Sequence, residues 1–175
     1  MSAGDPLPPY SYVPGGLWPH PISSPEGHSS GHRPPLPNGI APGEGWRESR
    51  DYLRGHALFD AGYYWEAHEV WEGLWHAHGR KGPIADVLKA LIKLAASGVK
   101  VREGNPRGVT THARRAAGLF ETVAILGEPR MLGLDLDRLA EQARTVADNP
   151  PSDPGPVGCA VATVFAFKLT PTDVP

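Results

Sequence analysis

The chain has 175 residues, with 17 lysines and arginines against 19 aspartates and glutamates, so its formal net charge is −2. This near balance argues against a dedicated nucleic-acid-binding protein, which usually carries a basic face. The single cysteine, Cys159, excludes an internal disulfide and a cysteine-based zinc site. No segment reaches the ~20 apolar residues of a membrane span, and no secretory signal is visible, so we expect a soluble cytoplasmic protein.

Residues 1–43 contain 11 of the 20 prolines and only three charged residues. No helix is expected there, because proline lacks the backbone N–H and clashes with the preceding turn. The segment nevertheless carries large aromatic and aliphatic side chains, which disordered arms usually lack. These are Tyr10, Tyr12, Leu17, Trp18 and Ile22. The pattern predicts an extended arm that packs its aromatic residues on the rest of the chain, with a disordered low-complexity arm as the alternative.

Residues 44–147 show helical periodicity, interrupted by glycine and proline at regular helix ends. The predicted helices run from about Glu44 to Ala61, Tyr64 to His78, Pro83 to Glu103, Pro106 to Leu126 and Asp135 to Ala147. The loops between them are short, as expected for neighbouring helices of a bundle. The sequence therefore predicts an all-α fold, a compact array of about five helices.

Residues 148–175 return to a composition rich in proline, glycine and aspartate. Within them, the run from Val157 to Leu169 is apolar and contains β-branched and aromatic residues. A lone strand would have no partner, so the run predicts an extended C-terminal tail lying on the helices. The chain thus divides into a proline-rich arm (1–43), a helical domain (44–147) and a tail (148–175).

The predicted helix from Tyr64 to His78 carries the densest chemistry. His68 and Glu72 lie one turn apart, between the rings of Tyr64 and Trp75. Three interpretations fit this pair: a structural hydrogen bond in an aromatic core, two ligands of a metal ion, or a general base held by its carboxylate. The structural interpretation is favoured, and it predicts that both side chains are buried and in contact. Glu69 is expected nearer the exposed side, paired with a lysine.

A divalent metal ion would need at least a third ligand from the protein. Histidines at the apolar edges of other helices and in the arm are the candidates: His56, His112, His20 and His28. Any site is predicted where the flank of His68 and Glu72 meets His112, with the arm as its roof. His112 is accordingly the third candidate for a catalytic role, beside His68 and Glu72.

Lys89, Lys93 and Lys100 form a narrow stripe on the third predicted helix. Such a stripe is typical of a solvated face. The alternative is an anion site or a set of partners for the acidic second helix. Under the anion interpretation, the candidate ligand contacts are Lys93, Lys100, Trp75 and Tyr64.

The segment from Phe59 to Trp75 reads FDAGYYWEAHEVWEGLW. It resembles the signature of the family called domain of unknown function 309, in which an aromatic residue and a turn precede EAHExxExxW. The segments 91–96 and 104–108 resemble the second block of that family, so the resemblance covers about residues 45–125. It implies a small all-helical protein, found mostly in prokaryotes and of undetermined activity.

The signature positions in this chain are His68, Glu69, Glu72 and Trp75. The resemblance implies no catalytic role for them. Many members carry glutamine where this chain has Lys93, and a histidine close to Lys100 that this chain lacks. The lysine stripe therefore marks a departure from the family pattern.

Two functions fit these residues. The first is a small binding or interaction protein with a structural His–Glu pair in its core, which associates with itself through exposed aromatic residues, the apolar tail and the arm. The second is a small enzyme, dependent on a metal ion or on acid–base chemistry, centred on His68 and Glu72 and acting on an anionic small molecule. The first is favoured because the second requires a convergence of side chains that the sequence does not show. No nucleic-acid or membrane partner is predicted.

Overall fold

The computed structural model describes residues 6–31 and 35–172. Over these residues the fold is all-α, as predicted, with five α-helices, a short 3-10 helix over Gly43–Arg47 and one small hairpin. The α-helices are α1 (Arg50–Asp60), α2 (Tyr64–Ala77), α3 (Pro83–Arg102), α4 (Pro106–Leu126) and α5 (Leu136–Asp148). No helix within the described ranges is long and apolar enough to cross a membrane.

Helices α2 to α5 begin and end within one residue of their predicted bounds, because local residues set those bounds. The Asn105 side chain accepts a hydrogen bond from the backbone N of Gly108 at 2.9 Å and caps α4. The Asp135 side chain accepts one from the backbone N of Arg138 at 3.0 Å and caps α5. Pro83 opens α3 at a position where a missing N–H costs little.

The single helix predicted from Glu44 to Ala61 is wrong in its first part. The chain forms the 3-10 helix, leaves helical geometry at Ser49 (φ −77°, ψ 96°) and begins α1 at Arg50. The hairpin was also not predicted. Its antiparallel strands, β1 (Arg130–Met131) and β2 (Leu134–Asp135), have two residues each and are too short to show a sequence period.

The core is built around α3, which packs on α2 and on α4, while α1 packs on α2 and α5 on α4. Two glycines permit the closest helix approaches. A Cβ atom at Gly98 of α3 would lie 2.6 Å from the Tyr64 ring, and one at Gly55 of α1 would lie 2.2 Å from the Trp71 ring. A side chain at either position would push α2 away from its neighbour.

Residues 6–31 of the arm lie against α1 and α2. The buried guanidinium of Arg54 donates a hydrogen bond to the carbonyl of Pro6 at 2.8 Å. The hydroxyl of Tyr63 donates one to the carbonyl of Pro8 at 2.9 Å. Side chains of the helical array therefore satisfy backbone carbonyls of a proline-rich segment, which has few N–H groups for a ladder of its own.

The C-terminal tail is extended, and its described part, residues 149–172, forms no strand. Three hydrogen bonds attach it to the first two helices, and one of them runs from the hydroxyl of Thr170 to Oδ2 of Asp60. The backbone N of Val164 donates to the hydroxyl of Tyr64 at 2.9 Å, and the backbone N of Leu169 donates to Oδ1 of Asp60 at 2.7 Å. The tail thus lies on α1 and α2 and is held there by side chains of these helices.

Candidate functional site

Three side chains of α2 come together on one flank of the helix: His68, Glu69 and Glu72. One nitrogen or oxygen atom of each lies within 4.8 Å of the corresponding atoms of the other two. Nδ1 of His68 is 3.3 Å from Oε1 of Glu69. All three side chains are half-buried, so the group is held by the helix and still reachable from solvent. We call these three residues the α2 cluster.

The α2 cluster differs from the predicted buried pair. His68 and Glu72 are neighbours, but neither is buried in the core, and the polar partner of His68 is Glu69. Glu69 pairs with that histidine and not with a lysine. Because half-exposed carboxylates keep part of their hydration, they do not require the buried partner that the aromatic surroundings suggested.

His112 of α4 lies close enough to His68 for a charge on His68 to lower the pKa of His112. Burial lowers the pKa of His112, and the charges of Lys93 and Lys100 lower it further. Its Nδ1 is buried and has no hydrogen-bond partner among the described residues. His112 is therefore a neutral imidazole near the α2 cluster, although it is not one of the three residues within 4.8 Å of each other.

Lys89, Lys93 and Lys100 are all half-buried, so the lysine stripe is partly solvated. Nζ of Lys100 contacts both carboxylate oxygens of Glu103, at 2.8 and 2.7 Å. Lys93 forms no ion pair or hydrogen bond with any described residue. Of the two lysines proposed as ligand contacts, Lys93 is therefore the one whose charge is available.

The two aromatic candidates have different surroundings. Tyr64 is 2% exposed and its hydroxyl accepts the hydrogen bond from Val164, so it anchors the tail and offers no surface to a ligand. Trp75 is half-buried, and its Nε1 is a buried donor without a partner within the described part of the chain. The guanidinium of Arg80 lies over the Trp75 ring, 5.8 Å from its centroid.

His56 is a residue of the aromatic core. It is 2% exposed, and its ring lies between those of Tyr52 and Trp71, with centroid distances of 4.5 and 5.0 Å. Neither ring nitrogen has a hydrogen-bond partner among the described residues. Burial lowers the pKa of His56 to about 3, an effect that the nearby Leu169 backbone only partly offsets. His56 is therefore neutral and is not part of the α2 cluster.

The buried carboxylate of α2 is Glu66, which the sequence analysis did not single out. It is 6% exposed. Its oxygens accept hydrogen bonds from the hydroxyl of Ser11 at 2.8 Å and from the backbone N of Tyr12 at 2.9 Å. Nε2 of His28 lies 3.6 Å from Oε1. Burial raises the pKa of Glu66, and these arm groups oppose that effect.

The arm histidines do not supply metal ligands to the α2 cluster. His28 faces Glu66, and Nδ1 of His20 accepts hydrogen bonds from the backbone N of Ile22 and Ser23, both at 3.2 Å. The His20 ring also packs on Trp65, with centroids 5.3 Å apart. The expectation that His20 or His28 closes a site with His68 and Glu72 is therefore not met.

Fold and site together define a small all-α protein whose second helix presents a histidine and two glutamates side by side. Residues 52–111, from α1 into α4, match the family described as "Domain of unknown function (DUF309)". The matched family is the one that the sequence resembles, and the matched residues include the whole α2 cluster and Lys93. No curated protein matches the chain.

Proposed function

We propose that the protein binds a divalent transition-metal ion through His68, Glu69 and Glu72. The observation that carries the proposal is that one ligating atom of each residue lies within 4.8 Å of the others. Ligand atoms sit about 2.0–2.2 Å from zinc, so two ligands of one ion are at most ~4.4 Å apart. Small rotations of the half-buried Glu69 and Glu72 side chains would bring the ligating atoms from within 4.8 Å to within ~4.4 Å of one another.

The donor set indicates the kind of ion. One imidazole and two carboxylates suit zinc, manganese or iron, whereas calcium and magnesium prefer oxygen alone. Three protein ligands leave coordination positions for water or a ligand, as in catalytic zinc sites, while structural zinc sites use four. The half-burial of the α2 cluster leaves those positions accessible.

The surroundings favour an anionic small molecule as the further ligand. Lys93 supplies a half-buried positive charge without a partner among the described residues. Trp75 supplies a donor that is likewise unpaired. His112 is held neutral by its lowered pKa and can accept a proton. These groups support a metal-dependent enzyme in which the ion and Lys93 bind the anion and His112 acts as base.

The test is metal binding by the chelator-treated full chain, measured by calorimetric titration with Zn²⁺ and with Mn²⁺. We expect one ion per chain and at least about tenfold weaker binding for His68→Ala and for Glu69→Gln. His76→Ala is the matched control, because His76 is an exposed histidine on the same helix. Absence of binding by the wild type, or equal binding by His68→Ala, would refute the proposal.

A second candidate function is self-association, and exposed apolar residues favour it. Leu17 of the arm is 78% exposed and lies beside Gly158 of the tail, next to the fully exposed Val157. Arm and tail thereby form one small apolar surface, and such surfaces often mark contacts with other proteins. Light scattering over a range of concentrations tests this function. A wild-type dimer that Leu17→Ser converts to a monomer would support it, and a monomer at every concentration would reject it.

A further inference from the structure

A cavity of about 450 Å³ lies between α5 and the C-terminal tail. Its apolar lining includes Val146 of α5 and Phe165 and Phe167 of the tail. Polar side chains of α5, among them Arg138 and Gln142, line the other side. No residue of α2 contributes, so the cavity is separate from the α2 cluster.

The contacts of the tail with the helices bound this cavity. Hydrogen bonds from Val164 to Tyr64 and from Leu169 to Asp60 hold the tail on α1 and α2. The tail side chains that line the cavity also pack against a small apolar cluster that includes Val146 of α5. The cavity lies beside this contact, along α5.

The aromatic wall of the cavity is fixed in advance. The rings of Phe165 and Phe167 are nearly parallel, with centroids 5.3 Å apart and an interplanar angle of 14°. The Phe165 ring also stacks on Phe59 of the core at 5.6 Å. Both tail rings are only half-buried. A ligand ring that packs against them gains apolar contact without having to order them first.

Gln142 provides the specific polar group. The Gln142 side chain lines this cavity. Its Oε1 atom is buried and has no hydrogen-bond partner among the described residues, and a rotation of the side-chain amide would bring it to the cavity. A buried acceptor without a donor is unfavourable, so a ligand that brings a donor is favoured over one that does not. Arg138 and Glu141 put one positive and one negative charge on the same helix beside it, so the site selects for neither sign of charge.

We propose that this cavity binds a neutral planar heteroaromatic molecule that packs on Phe165 and Phe167 and donates a ring N–H to Oε1 of Gln142. The volume of about 450 Å³ lies in the ~300–1,000 Å³ range of small-molecule sites. A few convergent polar groups in an apolar pocket are the usual composition of such sites.

The experiment is an NMR titration of the full chain with indole and with 1-methylindole, which has the same ring but no N–H. We expect indole to shift the backbone amides of residues 142–146 and 164–167 and to bind at least about fivefold more tightly than 1-methylindole. Gln142→Leu should abolish that preference. Ala166→Trp should block both probes, because Ala166 is an exposed residue of the cavity wall.

Thr111→Leu is the control, since Thr111 lies on the exposed side of α4 and outside the cavity. Equal affinity of the wild type for the two probes would overturn the proposal, as would unchanged binding by Ala166→Trp or shifts confined to other parts of the chain. If Gln142→Leu does not fold, the comparison of the two probes on the wild type still decides the role of the N–H donor.

Discussion

Helix α2 carries carboxylates in two contrasting environments only a few residues apart. Glu66 is buried under the arm and accepts hydrogen bonds from Ser11 and Tyr12. Glu69 and Glu72 lie beside His68, half-buried and without any hydrogen bond from the described residues of the arm. The same side-chain type therefore has a structural role where two donors satisfy it, and remains available for a ligand where none does.

The contrast shows that a carboxylate close to a histidine need not be a buried carboxylate. From the sequence, the proximity of His68 and Glu72 within an aromatic segment predicts that both are buried. In the structure, the fully buried acid is Glu66, and its nearest histidine comes from the arm. A carboxylate can be buried where distant segments of the chain donate hydrogen bonds to it. Where no such donors reach it, the carboxylate stays available to a ligand.

The largest expected effect is the loss of stability in Glu66→Ala. The substitution leaves the Ser11 hydroxyl and the Tyr12 N–H without an acceptor in a buried place, which should cost about 3 kcal/mol in total. Urea denaturation of the full chain measures the difference. Glu69→Ala is the control on the same helix and should change the free energy of unfolding by less than about 0.5 kcal/mol. Equal effects of the two substitutions would contradict the contrast drawn above.

A second prediction concerns His56, a fully buried group whose lowered pKa the Leu169 backbone only partly offsets. The native state keeps His56 neutral down to about pH 3, whereas the unfolded state takes up a proton below its ordinary pKa of 6.5. Stability is therefore complete above about pH 6.5 and is lost progressively as the pH falls toward 3. Between pH 7 and pH 5 this histidine alone should account for about 2 kcal/mol.

His56→Leu tests this pH dependence, because leucine cannot take up a proton in either state. We expect the decline in stability between pH 7 and pH 5 to be smaller in His56→Leu than in the wild type by about that 2 kcal/mol. His76→Leu, at an exposed position, should leave the decline unchanged. An unaltered pH profile in His56→Leu would show that other groups produce the acid sensitivity.

The helices were predictable because local residues determine their ends. Asn105 and Pro106 start α4, Pro83 starts α3, and Gly104 follows α3. The helical periodicity and the residues that start and end helices therefore predict the same bounds. The break at Ser49 was missed although its signals are local: Ser49 is the N-cap of α1, a position that serine favours, and Gly45 lies just before it. The hairpin was missed because two-residue strands leave no alternation to detect.

The site was only partly predictable for a different reason. The one-turn spacing of His68 and Glu72 correctly indicated that they are neighbours, and it left open which third residue joins them. The partners of Glu66 come from residues 54 and 55 positions away along the chain. On a helical wheel Glu66 lies beside Val70, at the border of the apolar face, and that border position was the available signal.

A smaller effect is expected from Ser11→Ala. The substitution removes one of the two donors to Glu66 and leaves the backbone N–H of Tyr12 in place. We expect a loss of about 1 kcal/mol and faster cleavage of the arm by chymotrypsin at neutral pH. Ser23→Ala serves as the control, because Ser23 is exposed in the same arm. Rapid removal of the arm from the wild type, with no change in stability, would show that the arm does not contribute to the fold.

The smallest effect on the free protein, and the most informative in sign, is expected from Glu72→Ala. Because Glu69 and Glu72 place two negative charges close together, removing one relieves repulsion and should stabilise the metal-free protein by a few tenths of a kcal/mol. With Zn²⁺ present the sign should reverse, because an ion that binds the folded wild type at 100 times its Kd adds about 2.7 kcal/mol. Thermal denaturation with and without the ion measures both values. If Glu72→Ala instead lowers the free energy of unfolding of the metal-free protein by several kcal/mol, Glu72 is a structural residue like Glu66. The two flanks of α2 would then differ only in which segment of the chain covers them.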